Sequence, residues 1–96
     1  MLDLNRLAAL RELSLRGTIA AAAEAMGYTP SAVSQQIAAL EREAGVALTV
    51  RSGRTLVLTP AGQRLVARAH ELLDTMERAE AELHDAAAQT TGTVRL

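Results

Sequence analysis

The sequence has no cysteine, no phenylalanine, no tryptophan and a single tyrosine. None of its 10 basic residues is a lysine. The missing thiols exclude disulfides, thiolate metal sites and a cysteine nucleophile, and they suit a reducing cytosol. No apolar run approaches the length of about 18 residues that a transmembrane helix needs, and no signal-peptide pattern opens the chain. A soluble, cytoplasmic protein with no membrane partner is therefore expected. No glycine-rich phosphate loop is present. The two histidines, His70 and His84, fall on the outer face of a long helical segment with no convergent acid or nucleophile. Neither an enzyme nor a cofactor is expected, and no metal site. Only two prolines occur, Pro30 and Pro60, and each follows a threonine.

The formal net charge is −1, which by itself does not mark a nucleic-acid binder. The charges are unevenly spread, with the part before Pro60 slightly basic and the part after it acidic. The stretch 27–40 carries no charge. Arginine offers a planar donor fork suited to phosphate and guanine. The alternative is a bias in base composition, which the abundant alanine also fits.

Residues 18–43 read as a short helix, a tight turn and a second helix. Thr18 is a good N-cap, and Ile19, Ala22, Ala23 and Met26 form an apolar stripe. Gly27 ends that helix. Thr29 caps the next one, with Pro30 at its first position, where a missing N–H costs nothing. Val33, Ile37 and Leu40 face inward, while Ser31, Ser34, Gln35 and Gln36 face outward. This is a helix-turn-helix pattern, and the polar face of helix 30–43 is the expected binding surface.

Upstream, residues 3–16 read as a scaffold helix with the stripe Leu4, Leu7, Leu10 and Leu13, capped by Asp3 and closed by Gly17. Downstream, Gly45 ends the second helix of the pair, and Val46 and Leu48 are expected to return the chain to the core. Residues 48–58 read as a hairpin turning at Ser52-Gly53. That turn sets Arg51 and Arg54 side by side, a mildly unfavourable placement that a bound phosphate would reverse. A solvated turn with two incidental arginines is the alternative.

From Pro60 a helix is expected to run to about Ala88. Leu65, Ala69, Leu72, Met76, Ala79, Leu83 and Ala86 alternate four and three apart, which is a heptad seam. Its first two turns can pack on the domain; the remainder predicts a homodimer. An antiparallel pairing sets Leu65 on Leu83′, Ala69 on Ala79′ and Leu72 on Met76′, with Leu73 and Thr75 each near its own copy. The polar run 89–93 reads as a linker, and 94–96 as the start of a strand. The expected divisions are 1–59 for the DNA-binding domain, 60–89 for the linker and dimerisation helix, and 90–96 for a hinge into a domain absent here.

The ordered set of these fragments resembles the N-terminal region of LysR-type transcriptional regulators over nearly the whole chain. The carrying residues are the Leu4/Leu7/Leu10 helix, Gly17-Thr18, Ala22-Ala23-Glu24, the run from Ser31 to Ile37, and Leu40-Glu41. They continue through Gly45-Val46, Leu48, Arg51, Gly53-Arg54, Leu58-Thr59, Ala61-Gly62 and the run from Gly92 to Leu96. The resemblance implies a mainly α fold: a winged helix-turn-helix of three helices and a small β-hairpin wing, followed by a long dimerisation helix. It also implies double-stranded promoter DNA as partner, antiparallel linker helices, tetramers in the full-length protein, and a small-molecule effector that binds only through the absent C-terminal domain. Two aromatics common in the family are replaced here by Ile19 and Thr49, so a more aliphatic core and a looser hinge into the wing are expected. The family often has Arg where this chain has Gln35, and a basic residue where it has Thr55, which lowers the charge of the interface.

On this reading helix 30–43 enters the major groove. Ser31, Ser34, Gln35 and Gln36 face base edges or phosphates; Gln pairs with adenine through two hydrogen bonds. Pro30 and Ala32 can touch a thymine methyl. Arg51 and Arg54 hold the backbone or enter the minor groove. Thr18 and Thr29 lie beside the phosphates as caps that can also donate. The alternative is a helical protein-interaction module that does not bind DNA.

Overall fold

The computed structural model describes residues 1–94, with side chains through Gln89. Its elements are α1 (Leu4–Arg16), α2 (Ile19–Met26), α3 (Pro30–Ala44), β1 (Thr49–Ser52), β2 (Thr55–Leu58) and α4 (Pro60–Val94). The caps are those the sequence specifies. The Asp3 carboxylate accepts from the N–H groups of Asn5 and Arg6 at 2.8 and 3.2 Å. The hydroxyls of Thr18 and Thr29 accept from Ala21 and Ala32, each at 3.1 Å.

The core gathers one stripe from each helix: Leu7, Leu10 and Leu13 of α1, Ala22 and Ala23 of α2, and Val33, Ile37 and Leu40 of α3. The buried alanines let α2 lie close to its neighbours. α1 packs against all three other helices and is the hub of the domain. Leu48 closes the core from below, but Val46 does not follow it and remains 53 % exposed.

The hairpin turns one residue later than the sequence suggests. Its strands pair Thr49 with Leu58, Val50 with Val57, Arg51 with Leu56 and Ser52 with Thr55, which leaves Gly53-Arg54 as the loop. Gly53 has φ +63°, and no non-glycine residue among the described residues has a positive φ. Glycine first and a negative φ second is the signature of a type II′ turn, whose twist matches that of the strands. The register is pinned at its open end. The Thr59 N–H donates to Leu48 O at 3.0 Å, one step beyond the ladder. Arg51 therefore faces Leu56, and the like-charged pair expected across the turn does not form.

Everything after the wing hangs on the segment 47–49. The Thr59 hydroxyl donates to Ala47 O at 2.8 Å and accepts from Gly62 N–H at 3.0 Å, so it ties the segment to the first turn of α4. α4 approaches so closely that a Cβ built on Gly62 would stand 2.1 Å from Leu48 O.

α4 carries two stripes rather than one seam. Val66, Ala69 and Leu73 are buried in the domain core, with Leu65 packed against it. Ala69 and Leu73, both expected at the dimer interface, are thus committed within the chain. The Ala69–Ala79′ and Leu73–Leu73′ contacts are not available. One helical step round, Leu72, Met76 and Leu83 are 50 %, 40 % and 70 % exposed, and Ala79 is exposed with them. A straight helix has 3.6 residues per turn, so a heptad drifts by about 20° per repeat, and one seam divides between two surfaces. The helix also passes its expected end and takes the polar run 89–93 and Val94 with it. The run Ala86-Ala87-Ala88 favours helix, and no proline follows to stop it. The rest of the expected strand, Arg95 and Leu96, lies outside the described residues.

Replacing Gly62 with alanine forces Leu48 and α4 apart. Gly62→Ala is expected to lower stability by about 1–3 kcal/mol, the usual range for overpacking, with the clash against backbone favouring the upper end. Urea unfolding followed by circular dichroism measures it.

Candidate nucleic-acid interface

The outward face of α3 divides the candidate residues between two flanks. On one side Ser34 lines a cleft of about 290 Å³ with Gly17, Thr18, Ile19, Arg51, Arg54, Thr55 and Leu56. The start of α2 and the wing therefore meet beside α3. Arg51 and Arg54 share this cleft although they are not cross-strand partners. On the other side Ala32, Gln35 and Gln36 line a more open groove with Arg6, Ala39 and Arg42. Pro30 and Ser31 are exposed in the first turn of α3, next to the Thr29 cap. Gln35 is exposed, whereas Ala32 and Gln36 are half-buried. Gln35 therefore has the freer reach of the two glutamines.

Each capping hydroxyl spends only a lone pair on its cap. Thr18 and Thr29 accept from the backbone and retain an O–H to donate outward. Around them the charge is positive and uncompensated. Among the described residues, no carboxylate pairs with Arg42, Arg51 or Arg54. The acids of α3 are turned elsewhere. Glu43 bonds Arg6. Glu41 points inward, where its Oε2 accepts from Leu48 N–H at 2.8 Å, Thr49 N–H at 3.1 Å and the Thr49 hydroxyl at 3.2 Å.

That clamp joins α3 to the base of the wing. Where the resemblance leads to the expectation of a looser hinge at Thr49, its hydroxyl and N–H both bond Glu41. The sequence pattern missed two charged lining residues, Arg6 and Arg42. Arg42 lies seven residues after Gln35, two turns along the same line, and was legible from spacing. Arg6 was not, since only the packing of α1 on α3 brings it there.

His70 is half-buried and His84 exposed, 14 residues apart on α4, or about 21 Å along the axis, so they share no site. No helix among the described residues is long and apolar enough to cross a membrane.

Comparison with known proteins gives a consistent result. Residues 4–63 match the family described as "Bacterial regulatory helix-turn-helix protein, lysR family". The transcriptional regulator PtxR of Pseudomonas aeruginosa is 32 % identical over 99 % of this chain, which spans 30 % of that protein. The transcriptional activator AllS of Klebsiella pneumoniae is 37 % identical over 86 % of the chain and 31 % of its own length. The chain thus corresponds to about a third of these relatives. Among solved structures, the DNA-binding domain of CbnR in complex with DNA superimposes with a TM-score of 0.80 at 29 % identity, covering 90 % of this chain and 99 % of that one.

The Glu41 clamp yields a direct expectation. Glu41→Ala leaves two backbone N–H groups without their acceptor and is expected to cost about 1–3 kcal/mol. Hydrogen exchange should accelerate at the Leu48 and Thr49 amides more than in α1.

Proposed function

Since this chain belongs to the lysR family of bacterial regulatory helix-turn-helix proteins, we propose that it is the sequence-reading part of a cytoplasmic transcriptional regulator, not an enzyme. It binds double-stranded promoter DNA as a homodimer. The observation that carries the proposal is the meeting of Ser34, Thr18, Arg51 and Arg54 in one cleft beside the exposed face of α3, with no acid among the described residues paired to either arginine.

α3 is 15 residues long, or about 22 Å, and the major groove is about 12 Å wide, so the helix can lie in it with its first turns against the bases. Ser31 and Gln35 then face base edges. Gln35 offers both a donor and an acceptor and suits adenine. Pro30 and Ala32 present apolar surface to a thymine methyl. The N-terminal end of α3 and the hydroxyls of Thr18 and Thr29 favour the adjacent phosphates. Arg51 and Arg54 grip the backbone from the wing. Selectivity comes from a neutral helix face, and much of the affinity comes from arginines outside it.

The second half of the proposal concerns α4. From Leu72 onward the apolar residues Leu72, Met76, Ala79 and Leu83 form an exposed stripe among the described residues. Two copies joined along this stripe carry two α3 helices to a dyad-related site. The stripe supplies the interface without Ala69 and Leu73, and Leu65 stays at its margin, packed on the core.

Selection of bound sequences from a random duplex library tests the function. A dyad-symmetric site is expected, and absence of salt-sensitive duplex binding favours the protein-interaction module instead. Gln35→Ala is expected to relax preference at one position of each half-site, at a cost of about 1–3 kcal/mol there. Met76→Glu places like charges in the proposed seam and is expected to shift the sedimentation coefficient to that of a monomer while the helical content of the domain persists.

A further inference from the structure

A helix in the major groove lies between two rows of phosphates, and the wing reaches only one of them. The groove on the opposite flank of α3 is lined by Arg6 and Arg42 together with Gln35 and Gln36, and encloses about 360 Å³. From it we infer a second phosphate site, formed by Arg42 of α3 and Arg6 of α1, for the strand across the groove from the wing. The inference rests on the DNA-binding reading above and extends it to residues outside the winged-helix pattern.

Three observations carry it. Spacing is the first. Gln35 and Arg42 lie on one line of α3, two turns and about 10.5 Å apart. With Gln35 against the bases of a groove about 12 Å wide, Arg42 arrives at its wall, where the phosphates are. Charge is the second. Arg42 is exposed and has no acidic partner among the described residues. The third is the placement of Arg6. Its Nη1 donates to Glu43 Oε2, and the other Glu43 oxygen accepts from the Asp3 N–H at 3.4 Å. Glu43 is thus a positioning residue that holds the guanidinium at the groove. Arg6 keeps its remaining N–H groups for a second acceptor, since the fork carries five donors. Its side chain is 34 % exposed. The groove lining itself holds two arginines and no carboxylate, with Glu43 and Asp3 set beside Arg6 rather than in the lining.

The test is duplex binding by the 96-residue chain over a salt series, on a selected site and on a random-sequence duplex. Arg42→Ala disturbs no partner. It is expected to weaken both duplexes by the same factor and to reduce the salt slope by about 0.9 per bound protomer, the value for one lost phosphate contact. Arg6→Ala is expected to act in the same sense. Unchanged slopes for Arg42→Ala and Arg6→Ala, with Arg54→Ala still lowering the slope, overturn the inference and leave the proposed function standing. A loss confined to the selected site also overturns it, by making these arginines base readers. Failure of the unaltered chain to bind any duplex overturns the proposed function and this inference together.

Discussion

The structure depends on how the backbone of Ala47, Leu48 and Thr49 is held. Their polar groups are accounted for by three different elements. Glu41 of α3 accepts from two of their N–H groups, Thr59 at the entry to α4 bonds two of their carbonyls, and Gly62 lets α4 come down onto Leu48 O. The Leu48 side chain is 1 % exposed and fills the core at the same point. Leu48 is buried and Thr49 half-buried, so losing these contacts to their backbone groups is costly. They set the recognition helix, the wing and the long helix at fixed angles to one another. A small change at this junction therefore moves the wing relative to α3 without touching any residue that faces a ligand.

That rigidity matters because the interface is thinly charged. The first turns of α3 present small polar and apolar side chains, while Arg51 and Arg54 stand beside it on the wing, Arg6 on α1 and Arg42 near its own far end. Such a division works only if the surrounding elements hold their positions, since neither Arg51 nor Arg54 contacts α3 through an ion pair of its own. The cleft beside Ser34 and the groove beside Gln36 are two walls of one surface, and their separation is fixed by the packing of α1, α2 and the wing against α3.

The long helix has to serve two surfaces in succession. Val66, Ala69 and Leu73 face the domain, and Arg11 of α1 reaches along the helix to Glu77 at 3.5 Å, so the attachment extends beyond the last buried leucine. The exposed stripe starts at Leu72, before the attachment ends. The overlap couples the direction of the free part of α4 to the domain it leaves.

Much of this was determined by the sequence alone. Local grammar places the helices: Thr18, Thr29 and Thr59 begin them, Pro30 and Pro60 follow, and periodic leucine, valine and isoleucine define the inward faces. Such signals act between residues within a few positions of each other, so they survive in any context. The outward residues of α3 and the two wing arginines were legible for the same reason. What only the tertiary structure decided involves distant partners. The hairpin turns at Gly53-Arg54 because Thr59 bonds Leu48 across its open end. Ala69 and Leu73 leave the seam because α1 lies over them. Arg6 lines the groove beside α3 because Glu43, thirty-seven residues away, bonds its guanidinium. Each outcome is a competition between partners far apart in the chain, and periodicity carries no record of which partner is nearer in space.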